Sequence, residues 1–319
     1  VFALATVIAT FGLLLVGGTV NPTGSSLACP DWPTCYGTFF PEMVDGVEYE
    51  HTHRIVATVV GLMTWVLAGW IHAKRKDDPT LRALGWTAAA LVVIQGVLGG
   101  ITVLLRLPLL VSTAHLALSM LFFALLIYIT LRIWPHADTR FPSVRASRPS
   151  GNRLSARTWV GAATLLIYAQ IILGAFVRHT KSGHACHDDW LLCLGSLWPT
   201  WPPAQLHMTH RFVGYLTMIA VMAVSVPAWR AAVRHAHPTT RWVAAAAPVL
   251  VLTQVALGLL TVATGIGLIP VTAHLGVGAM LLANFVVLYF ALPARVPAAK
   301  TAPKHGQTFV PSGAGRAAT

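Results

Sequence analysis

The sequence predicts an all-α integral membrane protein in which eight transmembrane helices form two tandem, pseudo-twofold-related four-helix bundles. Three observations predict it. Charged residues make up only 10% of the 319 residues against 55% hydrophobic. Eight apolar runs of roughly 20 residues are each long enough to cross the hydrocarbon core as a helix. The second half of the chain repeats the first. So few charges cannot clothe a soluble globular surface, which places the chain in a bilayer.

The runs lie at about 1–20, 51–73, 82–104, 108–133, 157–177, 207–229, 240–263 and 268–291. The first apolar stretch is too long for a signal-peptide core, so no cleavable signal is expected. The second and sixth helices begin with a polar His-Arg step, which puts their outer ends near headgroups or against a buried partner. The net charge of +12 does not point to nucleic acid, because the charges are sorted by loop. Seventeen of the 22 Lys and Arg residues fall in the loops after helices two, four and six and in the tail. Arg54, Arg106, Arg178, Lys181 and Arg211 are the five on the other side. The positive-inside rule then makes both termini cytoplasmic and puts the loops after helices one, three, five and seven outside, in a cell (inner) membrane surrounded by lipid.

An offset of 157 aligns Gly17 with Gly174, Cys29 with Cys186, and Thr52-His53-Arg54 with Thr209-His210-Arg211. An offset of 159 aligns Gln95 and Gly99 with Gln254 and Gly258, and Thr113-Ala114-His115 with Thr272-Ala273-His274. The two extra residues belong in a cytoplasmic loop, where insertions are tolerated. Four helices per half return the second half to the orientation of the first, so the repeats are parallel about an axis along the membrane normal. The expected division is an N-terminal bundle at 1–134, a cytoplasmic linker at 135–156, a C-terminal bundle at 157–292 and a disordered tail at 293–319. Gly96, Gly99 and Gly100, like Gly258, read as positions of close helix approach.

All four cysteines fall in two outer loops: Cys29 and Cys35 after helix one, Cys186 and Cys193 after helix five. Disulfides persist outside, while such short spacings also suit metal or redox pairs. Of the 14 histidines, His53, His115, His210 and His274 recur at matched positions near the outer ends of their helices. Two imidazoles at similar depth on two inward-running helices make an axial pair for haem iron, and a four-helix bundle supplies the apolar slot. Zinc fits less well, since no third or fourth ligand recurs with them. Glu50 breaks the symmetry: it shares a helix face with His53 if the helix extends that far, and its counterpart is His207. There it would handle protons or stabilise positive charge, or else merely end the helix. His51, roughly 200° around the helix from His53, cannot share that face. Arg54 and Arg211 are candidates for haem propionates or for interfacial anchors.

Taken together, Cys29-Pro30-Asp31-Trp32-Pro33-Thr34-Cys35-Tyr36-Gly37, Glu50-His51-Thr52-His53-Arg54, Val177-Arg178-His179-Thr180 and the two Thr-Ala-His steps resemble the haem A synthase family over nearly the whole chain. The resemblance implies oxidation of the C8 methyl of haem O to a formyl by successive hydroxylations and loss of water. His53 and His115 would ligate substrate haem O in the first half, and Glu50 would serve the chemistry. His210 and His274 would hold haem b for electron transfer in the second half. It also implies an outer Cys29–Cys35 disulfide, structural or electron-relaying. A Cys186–Cys193 bond is implied more weakly, because that loop has six intervening residues and no proline after its first cysteine. Haem O synthase (a protohaem farnesyltransferase), a terminal oxidase under assembly and an electron donor that the sequence does not name are the implied partners. Two rival readings share the histidines: a di-haem b-type electron-transfer cytochrome, and a haem carrier with exchangeable ligation.

Overall fold

The computed structural model describes residues 1–134, 155–186, 189, 191–235 and 238–292. Residues 135–154 of the expected linker 135–156 and the tail 293–319 lie outside the described residues, and the linker's last residue, Ala156, already belongs to a helix. Eight membrane-length helices are present: α1 (Phe2–Val20), α2 (Val47–Lys74), α3 (Pro79–Leu104), α4 (Leu109–Ile133), α5 (Ala156–His179), α6 (Pro202–His235), α7 (Pro238–Ala263) and α8 (Leu268–Ala291). Among the described residues there is no strand, and the only other helix is a single 3₁₀ turn at Ser182–His184. The chain is a multi-pass, all-α membrane protein.

Local chemistry sets several of the boundaries. The Asp78 carboxylate caps α3 by accepting from the Leu81 N–H, with Pro79 in the first turn where its missing donor costs nothing. The Ser155 hydroxyl caps α5 through the Thr158 N–H. Gly46 precedes α2 with φ of +92°, and a Cβ there would stand 2.7 Å from the Ser25 hydroxyl, so only glycine fits. Helix α2 therefore starts four residues before the expected 51, which places Glu50 inside the helix. Helix α6 runs from 202 to 235, longer at both ends than 207–229. The two extra residues of the second half fall at its junction with α7, since Pro79 and Pro238 start equivalent helices.

Helices α1 to α4 pack as a closed ring, α1 on α2, α2 on α3, α3 on α4 and α4 back on α1; helices α5 to α8 repeat the pattern. The halves meet where α1 packs on α8, where α4 packs on α5, and where α4 meets α8 between them. This set of contacts maps onto itself when the halves are exchanged. At one crossing Gly18 admits Leu275 and Thr272 of α8, and Gly276 admits Leu15 and Phe11 of α1. The largest buried cluster joins the second half to Leu14, Met120, Phe123 and Ile127 of the first. The outward faces remain apolar, as Ile55, Val59, Leu62 and Val66 on α2 show. That pattern suits lipid rather than water.

Candidate functional site

The four repeated histidines come from α2, α4, α6 and α8, and every one fronts a glycine on the preceding helix. A Cβ on Gly17 would lie 2.8 Å from Cε1 of His53, and one on Gly174 would lie 3.0 Å from Cε1 of His210. The same distances are 3.4 Å for Gly99 against His115 and 3.0 Å for Gly258 against His274. What Gly99 and Gly258 admit is thus an imidazole, not merely a neighbouring helix. Gly96 meets nothing within 4 Å.

All four rings are half-buried. His53 and His115 lie within range of each other's charge, as do His210 and His274, so each half brings its two imidazoles together. Among the described residues no hydrogen bond reaches Nε2 of His53 or His210, and Nδ1 of His53 is sealed and unpartnered, while the His115 ring lies against the backbone of Gln95. In the second half a glutamine stands against each ring. Nδ1 of His210 lies 3.1 Å from the Gln170 amide. Nδ1 of His274 lies 3.0 Å from the backbone oxygen of Gln254, whose side-chain amide stands 3.3 Å from Nε2. Nδ1–H of His274, donating to a carbonyl, leaves the lone pair on Nε2 as a metal ligand requires, whereas Nδ1 of His210 accepts from the Gln170 amide. Two imidazoles within range of each other, with no third His, Cys, Asp or Glu ligand atom clustered on them among the described residues, fit the donor set of a bis-histidine haem. Among the described residues the one tight cluster of three His, Cys, Asp or Glu side chains is elsewhere, at Cys29, Cys35 and His51, and its sulfurs form a disulfide.

Above the first pair of histidines lies the loop that carries this disulfide. Glu50 is 4% exposed. One of its oxygens accepts from Nη2 of Arg54 at 2.6 Å, and the other accepts from the Cys29 N–H at 3.0 Å. Arg54 also donates to the carbonyls of Asp31, Thr34 and Cys29. Glutamate and arginine together staple the loop onto the first turns of α2. The Asp31 carboxylate closes the loop's inner turn, and the Thr34 hydroxyl and then the Gly37 N–H hold it below the usual carboxylate range. Trp32 lies against α3 where Gly100 leaves room: a Cβ there would be 2.6 Å from the indole.

The second half keeps the staple and drops the acid. Arg211 donates to the carbonyls of Leu192 and Asp189, while His207 occupies the place of Glu50 and is buried. Cys186 and Cys193 are bonded, as Cys29 and Cys35 are, and each loop closes with the same isolated bridge, Cys35 with Thr38 and Cys193 with Ser196. Met208 stands at the position of His51, whose Nε2 lies 3.1 Å from the Phe39 carbonyl. Arg54 and Arg211, named from sequence as propionate contacts, spend their Nη donors on these loops. Gly17, Gly174, Gln170 and Arg178 took no part in the sequence reading of the site. The matched pair Gly17 and Gly174 was the visible signal for the first two.

The model of the COX15-CtaA family, described as cytochrome oxidase assembly proteins, matches residues 1–50 and 47–286. The chain belongs to this family. Similar proteins include one named heme A synthase in Exiguobacterium sibiricum, 33% identical over 235 residues, which are 72% of this chain and 73% of that one. Another of the same name in Symbiobacterium thermophilum is 32% identical over 213 residues, 66% of this chain and 68% of the relative. A third, in Staphylococcus saprophyticus, is 28% identical over 295 residues, 91% of each. In this COX15-CtaA member the matched stretch contains all four histidines, Glu50 and both cysteine pairs.

Proposed function

We propose that this protein is a haem A synthase, an oxidoreductase that converts the C8 methyl of haem O to a formyl group. Two successive hydroxylations, each inserting one oxygen atom and passing two electrons from the carbon to an oxidant of the dioxygen class, give a geminal diol, and loss of one water leaves the aldehyde. The observation that carries the reading is the asymmetry of two otherwise matched sites: both have an imidazole pair and a stapled disulfide loop, and only the first has a buried carboxylate three residues before its ligand. The names of the relatives point the same way.

The first half is the substrate site, with His53 and His115 holding haem O in an apolar slot. Glu50, fixed by Arg54 and the Cys29 amide, faces the site from the same side of α2 as His53. There it handles protons during oxidation of the methyl and stabilises developing positive charge. The second half is the resident cofactor site, with His210 and His274 as ligands to haem b. Haem b bound there supplies one-electron transfer. Gln170 and Gln254 set the orientation of its two ligands. The Nε donors of Arg54 and Arg211, which meet no acceptor among the described residues, remain for propionates. The cysteine loops face the outside and both termini the cytoplasm. The protein that supplies haem O and the oxidase that receives the product are its functional partners.

Co-expression with a haem O-producing enzyme tests this directly. Aerobic extracts should contain hydroxylated or formyl haem by chromatography and mass; full sites with only haem O would refute the synthase reading. Glu50→Ala should stop conversion and leave the b-type spectrum intact. His210→Ala or His274→Ala should remove that spectrum, and its persistence would refute the ligand assignment.

A further inference from the structure

Arg178 ends α5 at the junction of the two halves, and the mechanism above leaves it unused. Its Nη2 donates to the Gly18 carbonyl of α1 at 3.1 Å, and none of its other N–H groups meets an acceptor among the described residues. The ion pairs of the described residues are Glu50 with Arg54 and Asp78 with Arg132, so no acid neutralises it there. A guanidinium carries five donors in a rigid fork, and a half-buried one at the end of a membrane helix is costly without a counter-ion. The first half has Asn21 at the matched position, so the repeat does not demand a cation.

Its surroundings tie it to both histidine pairs. The carbonyl it holds belongs to Gly18, beside Gly17, against which the His53 ring packs. Gly18 also contacts Thr272 and Leu275 of α8, which flank His274. The next residue, His179, lies within charge range of His115. Arg178 thus stands between the two sites at their outer end, with open donors.

We infer that Arg178 is a carboxylate-binding residue that takes a porphyrin propionate at the junction of the two haem sites. The planar fork matches a carboxylate in a bidentate pair, and a propionate supplies the missing charge. The inference rests on the haem assignment above. The propionate belongs to substrate haem O or to resident haem b, and the experiment separates the two.

The haem-loaded protein is purified as wild type, Arg178→Lys and Arg178→Leu. Three quantities are compared: haem O and haem b per chain, the midpoint potential of the His210/His274 haem, and redox-difference infrared bands of propionates labelled with ¹³C at their carboxyls. Arg178→Leu should shift the labelled carboxylate bands. A loss of haem O of about tenfold with haem b unchanged assigns the carboxylate to the substrate. A lowered potential with haem O retained assigns it to the cofactor, because an uncompensated propionate charge favours the ferric state. Full haem content with unchanged potential and bands in Arg178→Leu overturns the inference. Should that variant not accumulate, Arg178→Lys decides: loss of the fork must move the bands, and unmoved bands overturn the inference. A wild type that carries no haem on the four histidines overturns the ligand assignment and this inference with it.

Discussion

The imidazole of His210 has a glycine where any other residue would displace it. Gly174→Ala sets a Cβ 3.0 Å from Cε1, tighter than ordinary contact, so the ring must turn or α5 must move. Such overpacking costs about 1–3 kcal/mol. We expect Gly174→Ala to shift the optical and electron paramagnetic signature of the second-site haem. Gly99→Ala, at 3.4 Å from His115, should be far milder on the first site. Equal effects from the two would show that the glycines do not set the rings. A second residue-scale prediction concerns acid. Because Asp31 titrates below its ordinary 3.8 in the folded loop, its stabilisation is complete above pH 3.8 and disappears as pH falls through the lower folded value. Hydrogen-exchange protection of the Tyr36 and Gly37 amides, whose acceptor is the Asp31 carboxylate, should drop over that acid range. In Asp31→Asn the protection should not vary with pH. The histidine pairs and Glu50 were legible from residue type and repetition. The glycine seats and the Arg178 junction were not, because each depends on which residue of a neighbouring helix comes to lie opposite, and spacing along one chain does not contain that.

Elements were read more easily than what fastens them. Eight apolar runs located every helix, with the largest miss at α6, five residues at its start and six at its end, because a bilayer requires their length and internal hydrogen bonding. The early start of α2 escaped the reading, since Glu48 and Glu50 look like loop residues until Gly46 and the disulfide loop are seen to receive them. The loop docks through two devices, the Arg54 staple on α2 and the Trp32 seat on α3. Arg54→Ala removes four hydrogen bonds and leaves the Glu50 carboxylate buried without its cation, a loss expected at about 3–5 kcal/mol. It should lower the thermal midpoint of the detergent-solubilised protein and expose the loop to protease. Gly100→Leu tests the second device by copying Leu259, the matched residue of the second half. The indole should leave α3, and first-site haem should fall while the b-type spectrum stays. Loss of both haems together would mean that α3 itself had failed to pack.

At the scale of the molecule, the two halves share one interface set and one direction of insertion, so a single choice of topology places every functional group. Both disulfide loops, all four histidines and Arg178 sit toward the end of the bundle opposite the Lys74–Lys76 turn. On the topology we propose, which the 17-to-5 partition of basic residues favours, that end is the outside. Phe40, 93% exposed in the first loop, and Lys76, exposed between α2 and α3, lie at opposite ends and suit single-cysteine reporters. In intact spheroplasts a membrane-impermeant maleimide should label Phe40→Cys and spare Lys76→Cys, which should react only after lysis. The native cysteines are bonded and fully buried, so they contribute no background. The reverse pattern would put both disulfides in the reducing cytosol, where they would not persist. It would then separate the loop that stapling by Glu50 and Arg54 holds over the first site from the oxidising side that keeps it closed.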